Sequence, residues 1–364
     1  METVVKKHSF GVATLAALCA LTSLSNLALA QSSVVISGMV DMGMVRESGG
    51  AGGAVTKVSS GIENGSRIAF RGSEDLGGGT TAIFLLESGF QSDTGAMGQG
   101  GLLFGRQAYV GLSNTTWGTL TLGRQYTPNY ATMAQVGDPF AAGLAGVFSS
   151  VFSNSGARMN NTVKYTTPKS HGVSAEFAYG AGEVTGDAEA GSSAGASLIY
   201  AQGKLNARLG YHYRNNDTAT LHDRGPARNT LFAMNYTFQY ITPYFAYSIN
   251  KGLNSSQLPA ANAYGADVAP VLSSDSRDIL LGARVPLGTG RLMVSVIHKD
   301  DRALPNQDAT LFAVGYSYFL SKRTDLYISY GRIDNRNGAG YTVNSAIDIG
   351  SGDHAFNLGL RHLF

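Results

Sequence analysis

Thr310-Leu311-Phe312-Ala313-Val314-Gly315-Tyr316-Ser317-Tyr318-Phe319 decides how this chain is read. Phe312, Val314, Tyr316 and Tyr318 fall on one face of an extended segment, and Ala313, Gly315 and Ser317 on the other, because side chains alternate across a strand. The same period of two returns along the chain. Phe356, Leu358 and Leu360 alternate with Asn357, Gly359 and Arg361, Ile68 and Phe70 with Arg67, Ala69 and Arg71, and Val163 and Tyr165 with Thr162, Lys164 and Thr166. A soluble sandwich turns such an apolar face inward, and a membrane barrel turns it outward. The other face decides between them: it is Gly, Ala and Ser with isolated arginines, as a crowded, water-filled lumen requires. The fold class expected is therefore all-β, a transmembrane antiparallel β-barrel.

Composition agrees. Of 364 residues, 27 are Lys or Arg and 25 Asp or Glu, so 14% are charged, against about 25% in an ordinary soluble domain. The 47 glycines, and 18 Tyr and 16 Phe against one Trp, suit many strands and turns. A net charge of +2 excludes the basic stripe of a dedicated nucleic-acid binder. No stretch beyond the first thirty residues has the 18 consecutive apolar residues of a helical span.

Residues 1–30 read as a cleaved signal peptide, with Lys6 and Lys7, an apolar stretch from Phe10 to Leu21, and Ala28-Leu29-Ala30 before the cut. The one cysteine, Cys19, lies in that leader, so the exported chain 31–364 has no disulfide framework. Short connections at 74–79, 114–118, 287–290 and 321–324 contrast with long polar ones at 46–61, 251–274 and 333–350, as barrels with short inner turns and long outer loops require. Hairpin by hairpin, the chain yields about sixteen strands, and fourteen or eighteen also fit the length.

Residues 126–160 form the exception. Thirty-five residues without a clear strand are too long for an ordinary loop, and their middle, 139–148, is apolar. Such a segment either folds back against the inner wall as a constriction loop or packs on a neighbouring subunit; the former removes apolar surface from water at about 25 cal/mol per Å².

Several blocks together resemble the general porins of the Gram-negative outer membrane, of the neisserial or β-proteobacterial trimeric type. They are SRIAFRGSEDLGGG at 66–79, GRQAYVGL at 105–112, LTLGRQY at 120–126, SKRTDLY at 321–327 and GLRHLF at 359–364. The resemblance implies sixteen strands, a homotrimer, and an inward-folded third outer loop corresponding to 126–160. It implies an outer-membrane channel for passive diffusion of small hydrophilic solutes and ions, in contact with lipid, lipopolysaccharide and the barrel-assembly machinery. The C-terminal face of Phe356, Leu358, Leu360 and Phe364 would be the signal for assembly.

Parity sets Arg67, Arg71, Arg106 and Lys164 opposite Ile68, Phe70, Tyr109 and Val163, and so in the lumen, where related porins carry a basic ladder. A charge facing lipid at mid-depth would cost about 2–4 kcal/mol. Asp138 is the one acid the loop offers them, so a weak anion preference is expected. Arg124, whose parity groups it with Leu120 and Leu122, and Arg158 are candidate loop anchors. A substrate-selective channel and a structural or adhesive barrel are the alternatives. No catalytic, cofactor or metal-ligand pattern is present: there is no G-x-x-x-x-G-K-[ST], G-x-S-x-G or H-E-x-x-H.

Overall fold

The computed structural model describes residues 33–256 and 263–364; the leader reading of 1–30 lies outside them. Strands follow one another as β1 (Ser33–Ser48), β2 (Val55–Ser60), β3 (Arg67–Gly77), β4 (Thr80–Gly89), β5 (Gln107–Asn114), β6 (Gly118–Tyr126), β7 (Arg158–Thr166), β8 (Val173–Gly180) and β9 (Ser193–Gln202). They continue as β10 (Leu205–Asn215), β11 (Pro226–Tyr236), β12 (Thr242–Lys251), β13 (Asp275–Leu287), β14 (Gly290–Asp301), β15 (Ala309–Phe319), β16 (Thr324–Asn335) and β17 (His354–Leu363).

Each strand from β3 onward pairs antiparallel with the next, and β17 returns to β1, where Met39 meets Leu363 and Ser48 meets His354. The other edge of β1 carries two partners in line. Its Ser33–Met39 half pairs with β3 and its Met42–Glu47 half with β2. Segments β2 and β3 are thus one barrel position interrupted by an inward excursion at 61–66, and the closed barrel has sixteen positions. The stretch 46–61, expected as one outer loop, contains β2.

The register assigns faces without ambiguity. Gly315 lies opposite Met293 and Ser329, and Tyr327 opposite Ser317 and Gly359, so that small residues run round the inside. On the outside Val110, Leu122, Val163, Leu209, Phe312 and Leu358 are all exposed. A band of this extent is not tolerated against water, but it suits a hydrocarbon core. Leu209, Tyr211 and Tyr213 share that lipid face, since their cross-strand partners Phe232, Thr230 and Arg228 lie on it too.

The long connection between β6 and β7 spans residues 127–157, the strands having extended into both ends of the expected 126–160. It folds into the barrel. Thr127 caps a short helix at Pro128–Thr132 by accepting from the amide of Tyr130 at 3.1 Å. Met133, Val136, Val147, Phe148, Val151 and Phe152 then bury themselves against Leu231, Tyr244, Leu280, Ile297 and Leu311 of the inner wall. Phe140 and Leu144 pack on Met293, Tyr327 and Ile62, the last from the 61–66 excursion.

The small residues of the polar face have a specific role here. A Cβ on Gly282 would lie 2.6 Å from Pro139 Cγ, and one on Gly331 2.4 Å from the carbonyl oxygen of Ala145. These wall glycines are the seats that let the loop backbone touch the sheet.

Candidate functional site

Among the described residues, three cavities follow one another along the lumen. The outer one, about 450 Å³, is bounded by the long-loop residues Gln91, Gln99 and Ile347 with Arg106, Tyr130 and Arg158. The inner one, about 430 Å³, is bounded by Gln135, Tyr244, Arg284, Arg291 and Phe319 near the short-turn end. Between them is a waist of about 170 Å³ formed by Asn64, Arg67, Arg106, Tyr126, Tyr130 and Gln135, with alanines of the loop opposite. Arg106 and Tyr130 line both the outer cavity and the waist, and Gln135 lines both the waist and the inner cavity. The shared residues set this smallest of the three spaces between the other two, beside the folded-in loop.

Two guanidinium groups share one acid there. Arg67 Nε lies 3.0 Å and Arg106 Nε 3.4 Å from the same oxygen, Oε1 of Glu87. Glu87 comes from β4, whose register sets it beside Ala69 and Gln107 on the lumen face. Arg106 also donates from Nη2 to the hydroxyl of Tyr126 at 2.9 Å, and Arg67 from Nη1 to the carbonyl of Gly65 at 3.2 Å. Two cations against one carboxylate leave the waist with a net charge of +1. A low-dielectric wall strengthens the field of that charge and concentrates counter-ions.

The remaining expected residues separate. Lys164 is on the lumen face but pairs with Glu176 at 3.7 Å and lines none of these three cavities. Arg71 is exposed on the same face as Arg67, four residues further along β3 and so about 13 Å away at 3.3 Å per residue.

Arg106 reaches the waist by a route that parity did not foresee. Gln107, Tyr109 and Gly111 face the lumen and Ala108, Val110 and Leu112 face lipid, the reverse of the expected assignment for Tyr109. Arg106 precedes β5 in a bend, where alternation has no meaning, and its side chain turns inward from there.

Asp138 does not face the basic residues. It is 1% exposed, and its oxygens accept the amides of Phe140 at 2.8 Å, Ala142 at 2.9 Å and Phe148 at 3.3 Å, all within the loop. Burial raises its carboxyl to about 6 against the pull of those three donors. Its charge organises the loop backbone and is not shown to the water.

At the foot of the loop, Arg158 donates from Nε to the carbonyl of Arg106 at 2.9 Å and lies 4.8 Å over the ring of Tyr126. Arg124 donates to the carbonyl of Gly105 at 2.8 Å and to the Asn160 side chain, tying the connection before β5 to the start of β7 at a bulge in β6.

Further charges, missed in the sequence, lie on the lumen wall outside the waist lining. Arg361 meets Glu63 Oε1 at 3.4 Å and Asp325 Oδ1 at 3.0 Å, and Arg291 reaches Glu63 at 3.7 Å. Arg284 donates to the carbonyl of Pro139 at 2.5 Å. Parity on β13, β14 and β17 carried the signal for the three arginines. Glu63 had none, because the 61–66 excursion belongs to no strand.

A family model described as "Gram-negative porin" matches residues 14–338. The chain belongs to the Gram-negative porin family. It is 31% identical over 332 residues to an outer membrane porin protein of Bordetella pertussis, covering 84% of each chain. It is 29% identical over 382 residues to outer membrane porin protein 32 of Delftia acidovorans, covering 99% of this chain and 100% of that one. Among solved structures, the anion-selective porin from Comamonas acidovorans superposes with a TM-score of 0.72 at 24% identity, over 92% of this chain and 100% of that one. That likeness shows a shared fold. This porin is thus a sixteen-position transmembrane barrel of the outer membrane.

Proposed function

We propose that this porin forms a water-filled channel for passive diffusion of small hydrophilic solutes and ions, with a weak preference for anions. The observation that carries the reading is the waist, where Arg67 and Arg106 stand against Glu87 alone while Asp138 is held inside the loop. A channel, and not an enzyme, is what such an arrangement serves: it offers charge and width to a passing solute. The similarity to a porin described as anion-selective agrees with it.

The same reading divides the chain into a cleaved leader, 1–30, and a barrel, 31–364, with 126–160 as its constriction loop. It takes the barrel to be a homotrimer in contact with outer-membrane lipid and lipopolysaccharide. Phe356, Leu358, Leu360 and Phe364 are exposed on the lipid face of the closing strand, and the Phe364 backbone exchanges hydrogen bonds with Gly38 at 3.0 and 3.1 Å. That apolar, aromatic-ended face is what the barrel-assembly machinery would read. Deleting Phe364 should lower the yield of folded trimer, and an undiminished yield removes this part of the reading.

Single-channel recording in KCl tests the function. The expected result is ohmic steps in groups of three. A silent bilayer in the presence of folded protein contradicts it.

A further inference from the structure

Beneath the loop, the inner cavity differs in kind from the waist. Arg284 and Arg291 both enter it, and among the described residues no carboxylate lines it, while Asp138, which interacts with Arg284, is buried behind the loop surface. Arg284 is opposite Met293 and Arg291 opposite Pro286, which makes the two arginines diagonal neighbours on one face, about 7–8 Å apart at Cα.

Each guanidinium is laid on an aromatic ring, Arg284 at 5.1 Å from the centre of Tyr244 and Arg291 at 5.6 Å from that of Phe319. Stacking holds a guanidinium flat and leaves its in-plane N–H groups free to bind. Arg284 donates from Nε to the Pro139 carbonyl and its head also meets the Tyr244 hydroxyl, which leaves part of its fork for a solute, while among the described residues the Nε of Arg291 is buried without a hydrogen-bond partner. The link from Arg291 to Glu63, at 3.7 Å, is too long for a hydrogen bond. Amides of Gln135, Asn206 and Asn235 complete the rim.

We propose that this cavity is a second anion subsite, selective for small organic carboxylates with an apolar body. The paired arginines supply the forked donors that a carboxylate accepts. The exposed parts of the Tyr244 and Phe319 rings not covered by the guanidinium groups, with the ring of Pro286, supply apolar contact, which an inorganic anion of the same charge does not use. A solute that has passed the waist meets this cradle before the short-turn mouth. The proposal rests on the channel reading above, and its test separates the two.

Chloride current through the reconstituted porin is recorded while sodium benzoate, acetate or sulfate is added in turn. Benzoate is expected to reduce the current saturably, and at lower concentration than acetate or sulfate. Arg291→Gln should raise the half-blocking benzoate concentration about tenfold, the loss of one charge-assisted contact. Phe319→Leu keeps both charges and should erase most of the advantage of benzoate over acetate. Equal block by benzoate and acetate in the unmodified porin overturns the proposal, as does an Arg291→Gln channel blocked as readily as the parent. Chloride current without selective block defeats the subsite alone. No chloride current at all defeats the channel reading, and the subsite with it.

Discussion

On the anion-preferring reading proposed above, replacing Arg67 and Arg106 together with alanine is expected to make the channel cation-preferring. The waist charge then falls from +1 to −1, because Glu87 stays behind without either partner. In bulk water a unit charge 5 Å from the path of an ion contributes about 0.8 kcal/mol, roughly a fourfold change in local concentration, with opposite sign for anion and cation. Each cation removed therefore shifts the anion-to-cation ratio by about sixteenfold before screening, which trims it at physiological salt. The double variant should cross unity in a KCl gradient. Arg71→Ala and Lys164→Ala, whose side chains lie outside the waist, should shift the ratio far less. An unchanged reversal potential in the double variant would remove Arg67 and Arg106 from the selectivity mechanism.

Asp278→Ala releases the loop from the wall. Asp278 and Lys299 are both fully buried, 3.3 Å apart, on neighbouring strands beneath the distal half of the loop. Asp278 Oδ2 accepts the amide of Ser153 at 2.6 Å and the side-chain amide of Asn250 at 3.1 Å, while Lys299 donates to the hydroxyls of Ser153 and Ser276. Removing one partner of a buried ion pair leaves an uncompensated charge, at a cost of about 3–5 kcal/mol. The strand ladder does not depend on these side chains, so the loss falls on the loop contact.

The expected result is a higher, noisier single-channel conductance and faster protease cleavage within residues 127–157, with the barrel still formed. Asp278→Leu combined with Lys299→Leu removes both charges and should recover part of the stability lost in the single variant. A parental conductance and cleavage rate in Asp278→Ala would mean that the apolar packing of Val147, Phe148, Val151 and Phe152 holds the loop by itself.

The barrel was legible because lipid on one side and water on the other impose a strict period of two, and Phe312, Val314, Tyr316 and Tyr318 all obey it. Arg67, Arg71 and Lys164 obey it as well, since each stands inside a regular strand. Arg106 lies one residue before β5, where the pattern stops, and Tyr109 is an aromatic on the wet face. The local rule therefore put Tyr109 on the wrong side, and it reached the right place for Arg106 by the wrong route. The loop announced itself by its length and its apolar middle. Its internal chemistry did not: nothing in the sequence tells that Asp138 is encircled by the amides of Phe140, Ala142 and Phe148, or that Lys299 is sealed beneath Ser153. Those are contacts made in three dimensions between segments more than a hundred residues apart, or within an irregular turn that no periodicity describes. The low count of charges now has a structural reason, since half of each strand faces lipid and those inside are drawn toward the loop and the waist.

The zero-current potential of the unmodified porin in a planar bilayer, with KCl concentrated on one side, tests the central claim most directly. A net charge of +1 at the waist predicts a potential of the sign set by chloride, shrinking as total salt is raised and the field is screened. A potential of the sign set by potassium at low salt would contradict it.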